Sequence, residues 1–116
     1  MTSNENAANL AITELDNSGL VEQYAEMTKW YHYDPVVSDR PSAFDKHELY
    51  AEIISRMEGK NRVSRDLLNH YETMVKWSHY DPHGLPRPNR KSEHELRSDV
   101  LNRMRNRAVP KNGYRP

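Results

Sequence analysis

The chain contains two similar copies of a 47-residue segment, and the second copy follows the first without a gap. The motif Trp-x-His-Tyr-Asp-Pro at residues 30–35 returns at residues 77–82. The triplet His-Glu-Leu at residues 47–49 returns at residues 94–96 in the same register. A period of this size corresponds to one supersecondary unit. The repeat therefore predicts a fold built from two copies of one unit.

Each copy opens with apolar residues at helical spacing. In the first copy these are Leu20, Val21, Tyr24, Met27, Thr28 and Tyr31, and in the second they are Leu67, Leu68, Tyr71, Met74 and Val75. Asn17 and Ser64 precede the two stripes and are suitable N-cap residues. Both helices are predicted to end at the Asp-Pro pair, because proline disfavours helical geometry in the residue before it.

A capping box predicts the start of a second helix in each copy. Asp45 is followed three residues later by Glu48, and Ser92 by Glu95. The apolar stripes of these helices are Leu49, Ile53 and Met57, then Leu96, Val100 and Met104. One helix pair cannot bury its stripes alone. The sequence therefore predicts an all-α domain in which two helix-loop-helix units pack as four helices about a pseudo-two-fold axis.

These patterns divide the chain into four parts. Residues 1–16 are polar and are predicted to form a flexible N-terminal segment. The first unit covers residues 17–63 and the second covers residues 64–109. Residues 110–116 are predicted to be a flexible basic tail, because no apolar period continues past Val109.

The composition indicates a soluble cytoplasmic protein. The 116 residues include no cysteine, which excludes disulfides and thiolate metal sites. No apolar run approaches the roughly 20 residues of a membrane span. The first residues lack the basic and apolar blocks of a signal peptide.

The net charge of zero conceals an asymmetry between the two halves. Residues 1–61 carry five basic and eleven acidic side chains, a net charge of −6. Residues 62–116 carry twelve basic and six acidic side chains, a net charge of +6. Such polarity serves an anionic partner or head-to-tail association of copies. Alternatively, it lets the two halves of one chain attract each other.

The repeated motif has two interpretations. On a helical wheel Lys29, Trp30, His32 and Tyr33 fall at the edge of the apolar stripe or outside it. In the structural interpretation the motif joins the first helix to the loop, with His32 near the helix C-terminus. In the functional interpretation the two copies form twin recognition pockets, each with an aromatic ring, a histidine and a carboxylate.

Catalytic and metal-binding patterns are weak. The zinc motif His-Glu-x-x-His is incomplete, because Ala51 and Ser98 occupy its last position. The chain has no Gly-x-Ser-x-Gly and, with four glycines in all, no glycine-rich phosphate loop. We therefore expect neither enzymatic activity nor a cofactor or metal.

The second copy carries the candidate binding surface. Its basic loop and helix lie beside the repeated motif, and we expect the following residues to bind a partner: Lys76, Trp77, His79, Tyr80, Arg87, Arg90, Lys91, Arg97, Arg103, Arg105 and Arg107. Their first-copy equivalents are Lys29, Trp30, His32 and Tyr33.

The predicted function is that of a small adaptor or regulatory protein that binds another protein. The alternative is nucleic-acid binding, in which the arginines of the second copy and the tail contact phosphates and an aromatic ring stacks on bases. The sequence leaves the oligomeric state open.

Overall fold

The computed structural model describes residues 11–33, 39–58, 62–80, 84 and 86–104. Within these residues the fold is all-α, as the sequence predicted. The four helices are α1 (Asn17–Tyr33), α2 (Lys46–Arg56), α3 (Arg62–Tyr80) and α4 (Glu93–Arg103). A short 3-10 helix, Ile12–Glu14, precedes α1.

The starts of α1 and α3 differ from the prediction. Asp16 caps α1, because its carbonyl oxygen accepts from the Leu20 N–H at 2.9 Å and its Oδ1 accepts from the Gly19 N–H at 2.7 Å. Asn17 is thus already helical. Helix α3 begins at Arg62, which places Ser64 inside the first turn, where it is buried. The predicted N-caps, Asn17 and Ser64, are therefore wrong. Both residues lie inside their helices, because each helix begins at or before its predicted N-cap position.

The capping boxes of α2 and α4 are confirmed. The Asp45 N–H donates to Glu48 Oε1 at 2.8 Å, and the Ser92 N–H donates to Glu95 Oε1 at 2.8 Å. In the second box the Glu95 N–H also donates to Ser92 Oγ at 3.1 Å. The two helices that these boxes open are each 11 residues long.

One apolar core joins the four helices. Helix α1 packs against α2, α3 and α4, and α3 packs against α4. The largest buried apolar side chains are Leu20, Tyr24, Met27, Leu49, Ile53, Met57, Leu68, Tyr71 and Met74. Trp30 and Trp77 are half-buried against this core.

Tyr31 does not belong to the core, although the helical spacing placed it there. Its side chain is 49% exposed. The neighbouring Trp30 makes the core contact at this level, and Tyr31 meets its ring edge-on with centroids 5.1 Å apart. The apolar stripe therefore turns towards Trp30 in the last turns of α1.

The segments that follow α2 and α4 meet each other. Met57 and Met104 form an isolated antiparallel bridge, and the Glu58 N–H donates to the Arg103 carbonyl oxygen at 3.0 Å. Both methionines are buried. This bridge ties the C-terminal ends of the two shorter helices together.

Several predictions fall outside the described residues. Among them are the candidate binding residues Arg105 and Arg107, the tail at residues 110–116 and the Asp-Pro pairs at 34–35 and 81–82. The division of the chain into four parts stays a prediction. No helix in the described ranges is long and apolar enough to cross a membrane.

Candidate functional site

A surface groove runs between α3 and α4, beside the loop that leads into α4. It consists of two adjoining depressions of about 670 and 530 Å³ that share Leu67 and Asp99. The first is also lined by Glu58, Val63, Asn102 and Arg103. The second is also lined by His70, Asn89, Arg90, Lys91, Glu95 and Leu96. We call this feature the α3–α4 groove.

The groove has an apolar floor that remains partly open to solvent. Val63 is 57% exposed, although it is a large aliphatic residue in the first turn of α3. Leu67, one turn further along the same helix, is only partly buried against the core. Leu96 of α4 lines the second depression with Leu67 and is buried. Covering Val63 and Leu67 would remove apolar surface from water, which favours association with a complementary partner.

Basic side chains stand at one end of the groove. Arg90 and Lys91 are exposed, and the Lys91 N–H donates to Asn89 Oδ1 at 2.9 Å, which shapes the turn before α4. The Lys91 ammonium donates to Asp99 Oδ2 at 2.7 Å. The hydrogen bond to Asp99, together with the charge of that carboxylate, raises the pKa of Lys91. Glu95 and Asp99 line the same depression, so the two positive charges of Arg90 and Lys91 stand beside two negative ones.

Arg103 stands at the other end of the groove. Its Nε donates to Ser64 Oγ at 2.8 Å, and Ser64 Oγ donates to the Glu58 carbonyl oxygen at 3.1 Å. Within the described part of the chain, the two Nη atoms of Arg103 have no hydrogen-bond acceptor. A guanidinium group has five N–H donors. Arg103 thus lies beside the apolar floor with its Nε bonded and with no described residue accepting from its Nη atoms.

The equivalent arginine in the first half is enclosed. Arg56 is 1% exposed, and its Nε donates to Glu52 Oε2 at 2.9 Å. Its Nη1 donates to the Leu15 carbonyl oxygen at 2.7 Å and to Asn17 Oδ1 at 2.9 Å. Its Nη2 donates to the carbonyl oxygens of Ile12 and Thr13 at 3.3 and 3.2 Å. The segment before α1 therefore covers the first half at this place.

Apolar side chains complete this cover. Ile12, Leu15 and Phe44 are partly buried against the core. Ser42 is buried, and its Oγ donates to Gln23 Oε1 at 2.6 Å across the face between α1 and the loop before α2. The first half thus covers this face with its own residues, and among the described residues of the second half the equivalent positions Leu67, Asp99 and Arg103 line the α3–α4 groove.

The structure separates the predicted binding residues. Arg90, Lys91 and Arg103 line the α3–α4 groove. Arg87 lies beside it and holds the loop, because its Nη2 donates to the Arg90 carbonyl oxygen at 3.0 Å. Arg97 faces α1 instead, where its Nη2 lies 3.4 Å from Glu22 Oε1. Of these predicted basic residues, only Arg90, Lys91 and Arg103 therefore share the α3–α4 groove.

The residues of the repeated motif do not line the groove. Lys29 pairs with Glu26 at 3.3 Å, and Lys76 pairs with Glu72 at 3.2 Å. His32 and His79 are exposed in the last turns of α1 and α3. Tyr33 and Tyr80 are the final residues of these helices, and their side chains lie outside the described part of the structure.

Glu72 connects the two halves. Its Oε1 accepts from the Tyr24 hydroxyl at 2.7 Å, and its Oε2 accepts from Lys46 and Lys76. Burial by itself raises the pKa of the Glu72 carboxyl, but the hydrogen bonds from Lys46, Tyr24 and Lys76 outweigh it and hold the pKa below its ordinary value. Burial and the nearby Glu72 charge raise the pKa of Tyr24.

A smaller depression of about 430 Å³ lies beside this network. It is lined by Tyr24, Tyr31, Asp45, Lys46, His47, Tyr50 and Glu72. Both carboxylates already have partners, since Arg40 Nη2 donates to Asp45 Oδ1 at 2.7 Å and Glu72 binds two lysines. Among the described residues, no group of three or more histidines and carboxylates is placed to hold a metal ion.

Sequence reasoning missed Val63, Leu67, His70 and Asp99 as parts of one surface. Comparing the two copies position by position, at the offset of 47 residues, could have identified this surface. Lys91 stands where the first copy has Phe44, and Asp99 stands where it has Glu52. Such substitutions between the copies identify the face on which the two halves have different surfaces. Comparisons with protein-family models, curated proteins and solved structures found no significant match.

Proposed function

We propose that this chain is a small non-enzymatic binding protein, of the adaptor or regulatory kind, that holds a segment of another protein in the α3–α4 groove. The observation that carries the proposal is the exposed apolar floor of Val63 and Leu67 beside the basic end formed by Arg90 and Lys91. Apolar area with a polar rim is the usual anatomy of a protein interface.

Acidic side chains in the groove favour a protein over a nucleic acid. Glu58, Glu95 and Asp99 line the groove with the basic residues, and Asp99 pairs with Lys91. A phosphate backbone requires a surface of mostly one sign. Nucleic-acid binding, as the alternative function, would depend on Arg87, Arg105, Arg107 and the tail.

The proposal includes an architecture of two similar units about an approximate two-fold axis. Helices α2 and α4 span residues 46–56 and 93–103, at an offset of 47 residues. The bridge between Met57 and Met104 pairs residues at that same offset in antiparallel fashion, as a two-fold axis requires. In this arrangement the first unit is a scaffold and the second carries the binding face. We place the protein in the cytoplasm, where a chain without cysteine needs no oxidising environment.

The repeated motif has a structural role in this proposal. Trp30 and Trp77 are both half-buried against the core. Lys76 joins the Glu72 network that connects the halves. These contacts support the structural interpretation over twin recognition pockets.

A capture experiment with charge-reversed variants tests the proposal. The double variant Arg90→Glu, Lys91→Glu changes the basic end of the groove. The double variant Lys29→Glu, Arg40→Glu is the matched control, because it changes the net charge equally on the first half. Each protein is immobilised and exposed to cell extract with and without nuclease. We expect the groove variant alone to lose a bound protein, and nuclease to have no effect.

Two results would contradict the proposal. Loss of the captured protein after nuclease treatment would assign the binding to nucleic acid, whose affinity falls steeply with salt. Equal loss in the groove variant and the control would show that total charge, and not the groove, determines capture. Melting temperatures of the variants, measured by circular dichroism, ensure that only folded proteins are compared.

A further inference from the structure

We infer that the second half of the chain has a binding site for a primary ammonium group, formed by the hydroxyl of Tyr71 and the carboxylate of Glu93. Glu93 lies one turn before Arg97 on the side of α4 that faces α1, where Arg97 reaches Glu22. The described lining of the α3–α4 groove includes none of these residues. The inference therefore goes beyond the proposed function and concerns a second site.

Tyr71 contributes a buried hydroxyl to this site. The residue is 1% exposed, and no described residue donates to its hydroxyl or accepts from it. The equivalent tyrosine in the first half, Tyr24, donates from its hydroxyl to Glu72 Oε1 at 2.7 Å. A buried polar group without a partner costs free energy. A ligand that forms a hydrogen bond with the Tyr71 hydroxyl removes this cost.

Charged side chains lie around the Tyr71 hydroxyl. Burial is the main cause that raises the pKa of Tyr71, and the negative charge of Glu93 also raises it. Arg97 lowers the pKa, whereas Glu22 and Glu26 raise it further. The hydroxyl is therefore close to three carboxylates and one guanidinium group.

Two of these carboxylates have cationic partners in the described structure. Glu22 Oε1 lies 3.4 Å from Arg97 Nη2, which connects α1 to α4. Glu26 Oε2 lies 3.3 Å from Lys29 Nζ, one turn further along α1. Each pair is neutral as a whole, so neither pair by itself selects a charged ligand.

Glu93 is the third carboxylate, and it has no cationic partner among the described residues. Its Oε1 accepts from the neutral Ser78 hydroxyl at 2.7 Å. Glu93 is the first residue of α4, where the helix dipole favours a negative charge. Ser78 is exposed and Glu93 is partly exposed, so a ligand reaches the carboxylate from the last turns of α3. One unbalanced negative charge beside Tyr71 therefore favours a cation.

The first half shows how a tyrosine, a carboxylate and an ammonium group meet. Lys46 donates to the Glu72 carboxylate, which also accepts from the Tyr24 hydroxyl. In the register of the repeat, the equivalents of Tyr24, Lys46 and Glu72 are Tyr71, Glu93 and Ala25. The second half thus has a tyrosine and a carboxylate at these positions but no lysine. An ammonium group has three N–H donors, which suffice to bond the tyrosine oxygen and the carboxylate together.

A titration monitored by nuclear magnetic resonance tests the inference. The full-length protein, labelled with nitrogen-15, receives lysine blocked at both backbone ends. We expect shifts at the amides of Ala25, Ser78 and Glu93. The control ligand is the same compound with an acetylated side-chain nitrogen, which has no charge and should not bind. A second titration uses butylamine. Tighter binding of blocked lysine than of butylamine assigns the site to a lysine of a partner protein, whereas equal binding assigns it to free amines.

Three variants measure the contribution of each group. Glu93→Gln should weaken binding of blocked lysine about tenfold, because it removes the charge that the ammonium group meets. Tyr71→Phe should weaken it about fivefold through the loss of one neutral hydrogen bond. Asp66→Asn is the matched control, because it removes one negative charge from an exposed position of α3 and should leave binding unchanged.

The melting temperature gives a readout that does not depend on the ligand. Tyr71→Phe should keep or raise the melting temperature, because it removes a buried hydroxyl that has no described partner. Tyr24→Phe should lower it, because the Tyr24 hydroxyl donates to Glu72. A loss of stability in Tyr71→Phe as large as that in Tyr24→Phe would show that the Tyr71 hydroxyl already has a partner within the protein.

The binding experiments can also overturn the inference. Absence of shifts with both amines would do so, as would equal binding of the acetylated control or full binding by Glu93→Gln. None of these results involves Arg90 or Lys91. The proposed function is therefore decided by its own capture experiment, whatever the outcome at Tyr71 and Glu93.

Discussion

Arg56 Nη1 donates a hydrogen bond to the carbonyl oxygen of Leu15 at 2.7 Å, across 41 positions of the sequence. The side chain of Arg56 is 1% exposed, and Glu52 balances its charge from one turn earlier in α2. A buried guanidinium is tolerated only when it is paired and its donors are used. The segment before α1 is therefore part of the folded domain at this contact.

The first prediction compares the two equivalent arginines. Arg56→Met should lower the free energy of unfolding by about 3–5 kcal/mol, because it leaves the Glu52 carboxylate and several carbonyl oxygens without their donor. Arg103→Met should cost only about 1 kcal/mol, since it removes a single described hydrogen bond. Urea denaturation followed by circular dichroism measures both values. Equal costs for the two variants would contradict the different enclosure of the two arginines.

The second prediction concerns the pH dependence of stability. The folded protein holds the pKa of Glu72 below its ordinary value. The ionised carboxylate therefore stabilises the fold above the unfolded pKa of about 4.3, and this contribution is lost as the pH falls through the folded pKa. Glu72→Gln should cost about 1–3 kcal/mol near neutral pH, and the difference from the wild type should shrink towards about pH 3.

The control for this experiment is Glu26→Gln. Glu26 pairs with Lys29 at 3.3 Å, but its side chain is 45% exposed. An exposed pair contributes about 0–1 kcal/mol. The control should therefore show little change at any pH. A Glu72→Gln difference that stays constant with pH would indicate lost packing instead of lost charge.

The third prediction addresses the repeated motif. Trp30→Ala and Trp77→Ala should lower the free energy of unfolding by similar amounts, about 2–4 kcal/mol, because both rings are half-buried against the core. Thermal and urea denaturation measure the effect. Unchanged stability together with lost partner capture would make the motif a recognition site.

The fourth prediction separates the two functional alternatives. Deleting residues 108–116 should leave the helical circular dichroism signal unchanged, since this segment has no apolar period. Protein capture through the α3–α4 groove should also persist. If the chain binds nucleic acid, the deletion should instead weaken binding and flatten its salt dependence, because the tail carries basic residues. A collapse of the helical signal would show that the tail contributes to the core.

The sequence by itself determined the helices and most of the core. Apolar spacing of three and four residues and two capping boxes are local signals, because each depends on residues within one or two turns. Leu49, Ile53, Leu96 and Val100 are accordingly buried as predicted. The positions that the sequence misplaced, such as Tyr31, lie at helix ends, where neighbouring elements decide which side faces the core.

Tertiary structure decided how each half encloses its arginine within the described residues. Arg56 and Arg103 are the same residue at equivalent positions, and the apolar stripes of their helices correspond, with Leu49, Ile53 and Met57 in α2 and Leu96, Val100 and Met104 in α4. They differ because residues 12–15 cover Arg56, whereas Asp99 turns to Lys91 and leaves the Nη donors of Arg103 unused within the described chain. Such contacts join residues far apart in sequence, and their formation depends on how complete elements meet. Periodicity cannot encode this, since it reports only on the residues of one helix.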